Sequence, residues 1–183
     1  MGYEIGSVLK QQGAEVVISG RDPDKVEKAV QKLGFNGIKA DVIKEDDVVA
    51  LFEFAREKVG GVNVLINNAG IGTFNTLTDT HVEEFQKMWE VNVKGYFLAG
   101  KQAAKIFQQQ QYSNIINIGS TASLKGYAKG SAYVSSNLLW QVLPNAGVPN
   151  FVRTMRVMQI NPIEVITDFI SKAEWLSKTR KAN

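Results

Sequence analysis

Apolar residues recur along this chain in two alternating rhythms. From Gly2 to Gln12, Ile5, Val8 and Leu9 fall three to four residues apart and predict a helix that Gly13 ends. Ala14 to Ser19, with Glu-Val-Val-Ile inside it, reads as a short strand. Asp22-Pro23-Asp24 is a start signal for a helix over Lys25 to Leu33. A second short strand follows at Gly37 to Asp41. Glu45 to Val59 is an amphipathic helix carrying Val48, Leu51, Phe52 and Ala55. Val62 to Asn67 is a nearly continuous apolar run, the pattern of a strand buried on both faces. Val82 to Gln110 is mostly helical, with a break or bend expected near Asn92 to Gly95. Asn114 to Ile118 and the stretch from Arg156 to Ile160 complete the set of strands.

Strands alternating with helices imply a doubly wound α/β domain, a parallel sheet with helices on both faces. The pattern changes after Asn137. Pro144 and Pro149 fall where a long helix is due, and each costs about 3 kcal/mol inside a helix, which excludes a continuous one there. The run Gln108 to Gln111 reads as a solvated helix end.

Composition narrows the function classes. With 183 residues and 44% hydrophobic content the chain suffices for one domain with a sizeable core. A net charge of +3 is no nucleic-acid footprint, and the basic tail Lys172, Lys178, Arg180 and Lys181 reads as a solvated terminus. No apolar run is long enough to span a bilayer and none resembles a signal peptide, so a cytoplasmic protein is expected. The absence of cysteine fits a reducing compartment and excludes disulfides and thiolate metal sites. His81, the single histidine, lies beside Asp79, Thr80 and Glu83 with no ligand spacing; a surface position and no metal site are expected.

The chemistry concentrates between Asn114 and Asn137. A short apolar strand delivers Ser120 at its end, and Tyr133 follows thirteen residues later. Taken with Asn67-Asn68-Ala69-Gly70, Asn92 in Asn-Val-Lys-Gly, and Asn161-Pro162, in this order, the chain resembles the short-chain dehydrogenases/reductases. The resemblance covers roughly residues 2–136 and 156–173, and within the family the β-ketoacyl-[acyl-carrier-protein] reductases look most similar.

That resemblance implies a Rossmann-type fold and hydride transfer between a nicotinamide and a carbonyl or alcohol. Tyr133 would give the proton to the developing alkoxide, Ser120 would hydrogen-bond the same oxygen, and Asn92 would kink its helix and hold a water of the proton relay. Gly2 would belong to the pyrophosphate loop and Asp41 would contact adenine. Asn67, Ala69 and Gly70 would form the turn beside the adenine ribose. Ile118 would lie beneath the nicotinamide, with Tyr133 beside its ribose, and Pro162, Val165 and Thr167 would hold the carboxamide. Ser19-Gly20-Arg21 offers an arginine and no carboxylate for the second ribose, which favours NADP(H) over NAD(H). The implied partners are a small carbonyl or alcohol substrate, with 3-oxoacyl thioesters among the candidates, and further copies of the chain in a dimer or tetramer; nucleic acid and membrane are not expected.

Three departures from the family pattern bear on activity. The chain opens at what resembles the last positions of the glycine-rich phosphate loop, so a single incomplete domain lacking the first strand is expected over residues 1–183. It also stops short of the family's C-terminal part. Above all, the position four residues after Tyr133, where the family carries a lysine, is Asn137. Residues 137–155 read as aberrant, and a reading-frame slip over 137 to about 154 accounts for them. Asn-Leu-Leu-Trp can be encoded AAT TTG CTT TGG, and one restored A gives Lys-Phe-Ala-Leu. An impaired oxidoreductase is the expectation. The alternative is a non-catalytic dinucleotide-binding remnant or an interaction subunit that dimerises through Val82 to Gln110; an unrelated α/β enzyme acting on nucleotide sugars fits the spacing less well.

Overall fold

The computed structural model describes residues 1–146 and 155–162. In chain order they form α1 (Gly2–Gln11), β1 (Val17–Gly20), α2 (Pro23–Leu33), β2 (Asn36–Lys39), α3 (Glu45–Val59) and β3 (Val64–Asn67). There follow α4 (Val82–Trp89), a π-helical turn (Glu90–Lys94), α5 (Gly95–Phe107), β4 (Ser113–Ile118), a 3₁₀ turn (Thr121–Ser123), α6 (Ser131–Ala146) and β5 (Met155–Ile160). Every strand pair is parallel, as a strand–helix alternation requires.

Local chemistry fixes the helix starts that border the strand ends. Asp22 caps α2, its Oδ1 accepting from the N–H groups of Asp24 at 3.1 Å and Lys25 at 3.2 Å. Pro23 occupies the first helical position, where a missing N–H costs nothing, and Gly34 closes the helix in the left-handed region at φ 63°. α3 begins with Glu45, Asp46 and Asp47 and ends with Arg56 and Lys58, matching its dipole at both ends. Its Val48 and Phe52 pack with Leu98, Ala99, Ala103 and Phe107 of α5 and Ile115 of β4 in the main apolar cluster.

The strands divide into two sheets, β1–β2 and β3–β4–β5. β3 was expected to be covered on both faces, yet Val64 is 46% exposed and only Asn67 is buried. The apolar run is genuine, but among the described residues β3 is an edge strand, paired on the β4 side alone.

Two further expectations change. α6 does not stop at Asn137: it runs on to Ala146 and takes in Pro144. A proline near a helix end forfeits one backbone bond and strains one turn, which does not break the turns before it. Pro149 lies outside the described residues. Gln110 is no solvated residue, since its Nε2 donates to the Val62 carbonyl at 2.9 Å and ties the end of α5 to the approach to β3. The bend near Asn92 is the π-turn itself. His81 is exposed, as expected. Among the described residues no group of acidic, histidine or cysteine side chains could hold a metal, and no helix is long and apolar enough to cross a membrane.

Candidate functional site

Because the strands run parallel, their carboxyl ends lie at one rim, and the segments leaving them carry the residues singled out by sequence. Arg21 follows β1, Asp41 follows β2 and Asn67 to Gly70 leave β3. Ser120 lies two residues past β4, and Asn161-Pro162 follow β5. Val165 and Thr167 lie outside the described residues, as does the basic tail.

Register builds the centre of this rim. Asn67 and Asn117 face each other across β3 and β4, and the Asn67 Nδ2 donates to Asn117 Oδ1 at 2.9 Å, both residues buried. Both carboxamides are engaged there, which leaves Asn67 its backbone for any ligand. Ile118 pairs with Ile160 of β5, and its carbonyl accepts from the Tyr96 hydroxyl at 3.0 Å. Beyond it, the Gly119 N–H donates to Ile160 and the Thr121 N–H to Pro162, so the Ser120 loop is strapped to the end of β5. Ser120 caps the 3₁₀ turn, its Oγ accepting from the Ala122 N–H at 3.2 Å.

Tyr133 stands in the first turn of α6 and reaches back to Ser120. Burial pushes its phenol pKa up, while hydrogen bonds with Ser120 and Asn137 pull it down. Phe74, in the loop after β3, lies against the Tyr133 ring at 5.2 Å between centroids. Asn137, one turn along α6, is buried, and its Nδ2 donates to the Tyr133 carbonyl at 2.9 Å. The position where a cation was looked for therefore holds a neutral amide bound to its own helix.

Asn92 sits in the π-turn, where one extra residue per turn turns its side chain inward. Its Oδ1 accepts from the Ile71 N–H at 2.9 Å, and its Nδ2 donates to the Ile71 carbonyl at 2.9 Å and to Ser136 Oγ at 3.0 Å. The side chain thus fastens the loop after β3 to α6. Sequence reading missed Ser136, Asn117 and Tyr96, all buried. Polar residues inside apolar runs were the available signal for Asn117 and Tyr96. Burial raises the Tyr96 phenol above the ordinary tyrosine range, with Tyr133 adding to the effect.

The remaining residues form the other side of the rim. Arg21 is exposed, and the Asp22 carboxylate beside it is spent on the α2 cap. Asp41 turns inward on its own loop: its Oδ1 accepts from the Ile43 N–H at 3.3 Å and its N–H donates to Asp47 at 2.8 Å. Gly2 brings the start of α1 against Asn68, so close that a Cβ there would lie 2.7 Å from Asn68 Nδ2. Free N–H groups of a helix start, a cationic side chain and the Asn67–Gly70 turn are donors suited to a dinucleotide. The residues present fit such a group along this rim.

Comparison with known proteins agrees with this geometry. The short chain dehydrogenase family profile matches residues 1–175. An uncharacterized oxidoreductase of Staphylococcus aureus strain MRSA252 is 28% identical over 166 residues, covering 88% of this chain and 72% of that protein. The uncharacterized oxidoreductase YxjF of Bacillus subtilis strain 168 is 33% identical over 141 residues, covering 74% of this chain and 55% of that protein. Among solved structures, 3-ketoacyl-(acyl-carrier-protein) reductase from Brucella melitensis, complexed with NADH, superposes with a TM-score of 0.88 at 28% identity. The match covers 93% of this chain and 74% of that one.

Proposed function

The chain belongs to the short-chain dehydrogenase family of oxidoreductases, and from that premise we propose that its rim is an NADP(H)-dependent carbonyl-reducing site working with impaired acid–base chemistry. The observation that carries the reading is the hydrogen bond between Ser120 and the Tyr133 phenol at the carboxyl end of β4. Two hydroxyls meeting there can hold one substrate oxygen, Ser120 by orienting it and Tyr133 by donating a proton to it. The nicotinamide, when bound, supplies the hydride. Asn92 acts by holding α6 against the loop after β3, which fixes Tyr133 relative to the Asn67–Gly70 turn.

NADP(H) is favoured because Arg21 is free to meet a 2′-phosphate, while the neighbouring Asp22 carboxylate is occupied as a cap. Gly2 and Asp41 border the dinucleotide, Ile118 and Pro162 the nicotinamide end. Impairment follows from Asn137, since a neutral amide one turn from the half-buried Tyr133 supplies no charge there to offset burial, which holds the phenol's proton tightly near neutral pH. The substrate is a small carbonyl compound, with 3-oxoacyl thioesters the first class to try because a neighbouring fold acts on them. In a second reading, favoured by the engagement of Asn137 with the Tyr133 carbonyl, the chain binds a dinucleotide or a partner without turning over.

The deciding assay follows oxidation of NADPH and NADH with a 3-oxoacyl thioester and simple ketones. Carbonyl-dependent NADPH oxidation that disappears in Tyr133→Phe supports the enzyme. Dinucleotide binding with no turnover at any pH supports the second reading; failure to bind either dinucleotide removes the enzyme and leaves only partner binding from the second reading.

A further inference from the structure

The segment that carries Ser120 leaves β4 beside the end of β5, and the residues on either side of the serine are bonded to that strand's exit. The Gly119 N–H donates to the Ile160 carbonyl at 2.8 Å and the Thr121 N–H to the Pro162 carbonyl at 3.3 Å. Both oxygens of Ser120 turn instead to the 3₁₀ turn that follows. Its hydroxyl accepts from the Ala122 N–H at 3.2 Å, and its carbonyl accepts from the Ser123 N–H at 2.9 Å. Where that turn sits therefore decides where the Ser120 hydroxyl points.

A side chain of β5 holds the turn in place. Gln159 pairs with Asn117 across β4 and β5, and its Nε2 donates to the Ser123 hydroxyl at 3.0 Å and to Asn161 Oδ1 at 2.7 Å. Ser123 is completely buried. The carboxamide lies against Gly119: a Cβ there would overlap Gln159 Nε2 and come within 2.5 Å of Asn161 Oδ1. Gly119 does not have a positive φ, so it is room for the amide, and not backbone freedom, that calls for glycine at this position. Gln159 Oε1 is buried without a hydrogen-bond partner. An apolar side chain of the same length would fill the space without stranding an acceptor. Packing gives no reason for a glutamine at 159; the two bonds of its Nε2 give one.

We propose that Gln159 is a positioning residue for Ser120: through Ser123 on one side and Asn161 on the other it fixes the turn after β4 against the end of β5, and so aims the Ser120 hydroxyl at Tyr133. This rests on the reading of Ser120 and Tyr133 as the reacting pair, and adds to that pair a group on β5 that acts through Ser123. Pro162 borders the nicotinamide end in the same reading, so one carboxamide also sets the spacing between the serine and the dinucleotide. A site needs this kind of support because a hydroxyl on a loop is only as well aimed as the residues that hold the loop.

The test follows titration of the Tyr133 phenol by NMR in the full chain, with tyrosine carrying carbon-13 at Cζ and Tyr133→Phe identifying the signal. The bond from Ser120 pulls this titration down, so Ser120→Ala should raise it. Gln159→Met keeps the length of the side chain and loses both bonds. It should raise the titration as well, cutting the ratio of ionised to neutral phenol at a fixed alkaline pH by about three-fold or more. Ser123→Ala removes the acceptor from the other end and should raise it in the same direction. A role in packing alone would lower the urea midpoint and leave the phenol where it was. If Ser120→Ala raises the titration and either Gln159→Met or Ser123→Ala leaves it unchanged, the proposal fails while the reading of the site stands. If Ser120→Ala itself changes nothing, the serine and the tyrosine are not paired and both fall. Should Gln159→Met not fold, Ser123→Ala decides alone: a rise supports the proposal and no change overturns it.

Discussion

Asn92 and Ser136 are joined by a hydrogen bond of 3.0 Å from carboxamide to hydroxyl, across 44 residues of chain. Ser136 in turn donates to the Tyr133 carbonyl at 2.9 Å, and Asn92 holds both backbone groups of Ile71. A line of bonds therefore runs from the loop after β3, through the π-turn, to the backbone of the tyrosine. All of it is buried or half-buried, where an unmade bond carries its full desolvation cost.

Asn92→Ala should lose about 2–4 kcal/mol, since it removes three hydrogen bonds and leaves the Ile71 groups to find water. Asn92→Asp keeps the acceptor but sets a carboxylate against the Ile71 carbonyl, so it should not rescue. Urea unfolding curves measure both. A loss under 1 kcal/mol for the alanine variant would show that the staple is dispensable.

Burial sets a pH dependence with a definite sign. The Tyr96 and Tyr133 phenols both hold their protons more tightly folded than unfolded, where tyrosine titrates near ~10. Their contribution is fully present below pH ~10 and is lost as pH rises through the folded values, because only the unfolded chain gains by ionising. The urea midpoint should fall with rising pH above ~10, and the fall should shrink in the Tyr96→Phe/Tyr133→Phe variant. An unchanged slope in that variant would refute the assignment.

Much of this was legible in the residues. The Asp22-Pro23 cap, the acid-to-base gradient of α3 and the buried rhythm of β4 are local signals, and local physics placed those elements to within a residue or two. The bend at Asn92 was legible as a position but not as a π-turn, because its cause is a partner, Ser136, far along the chain. The exposure of β3 was illegible for the same kind of reason: an apolar run reports what a strand can bury, and its neighbours decide whether it does. Helix α6 outran the proline rule because propensity is summed along a helix, and one late proline does not outweigh the turns before it.

The proposed preference for NADP(H) turns on Arg21. Arg21→Ala should weaken NADPH binding at least ten-fold while leaving NADH within about two-fold, since an exposed arginine paired with a phosphate contributes charge-assisted bonds that a ribose hydroxyl cannot replace. Fluorescence titration of both dinucleotides at low salt separates the outcomes, because screening blurs the difference at high salt. Equal losses for the two would assign Arg21 to the diphosphate or to folding and remove the preference for NADP(H).

Asn137→Lys is the sharpest change available. A lysine there places an ammonium one helical turn from Tyr133, in a site where burial, with Tyr127 adding to it, now raises the phenol. An adjacent cation favours the ionised phenol, bringing its titration down toward the working range. Restored acid–base assistance is worth about 10²- to 10⁴-fold, so NADPH-dependent carbonyl reduction should rise by at least 10² over the parent chain. The gain should vanish in Asn137→Lys/Tyr133→Phe, and the pH profile of kcat/KM should shift toward neutrality. Sequencing the coding DNA across codon 137 asks the same question from the other side, since an additional A there would encode the lysine directly. If the lysine variant folds, binds dinucleotide and still turns over no faster, then Asn137 is not what limits this chain, and its site is one for binding.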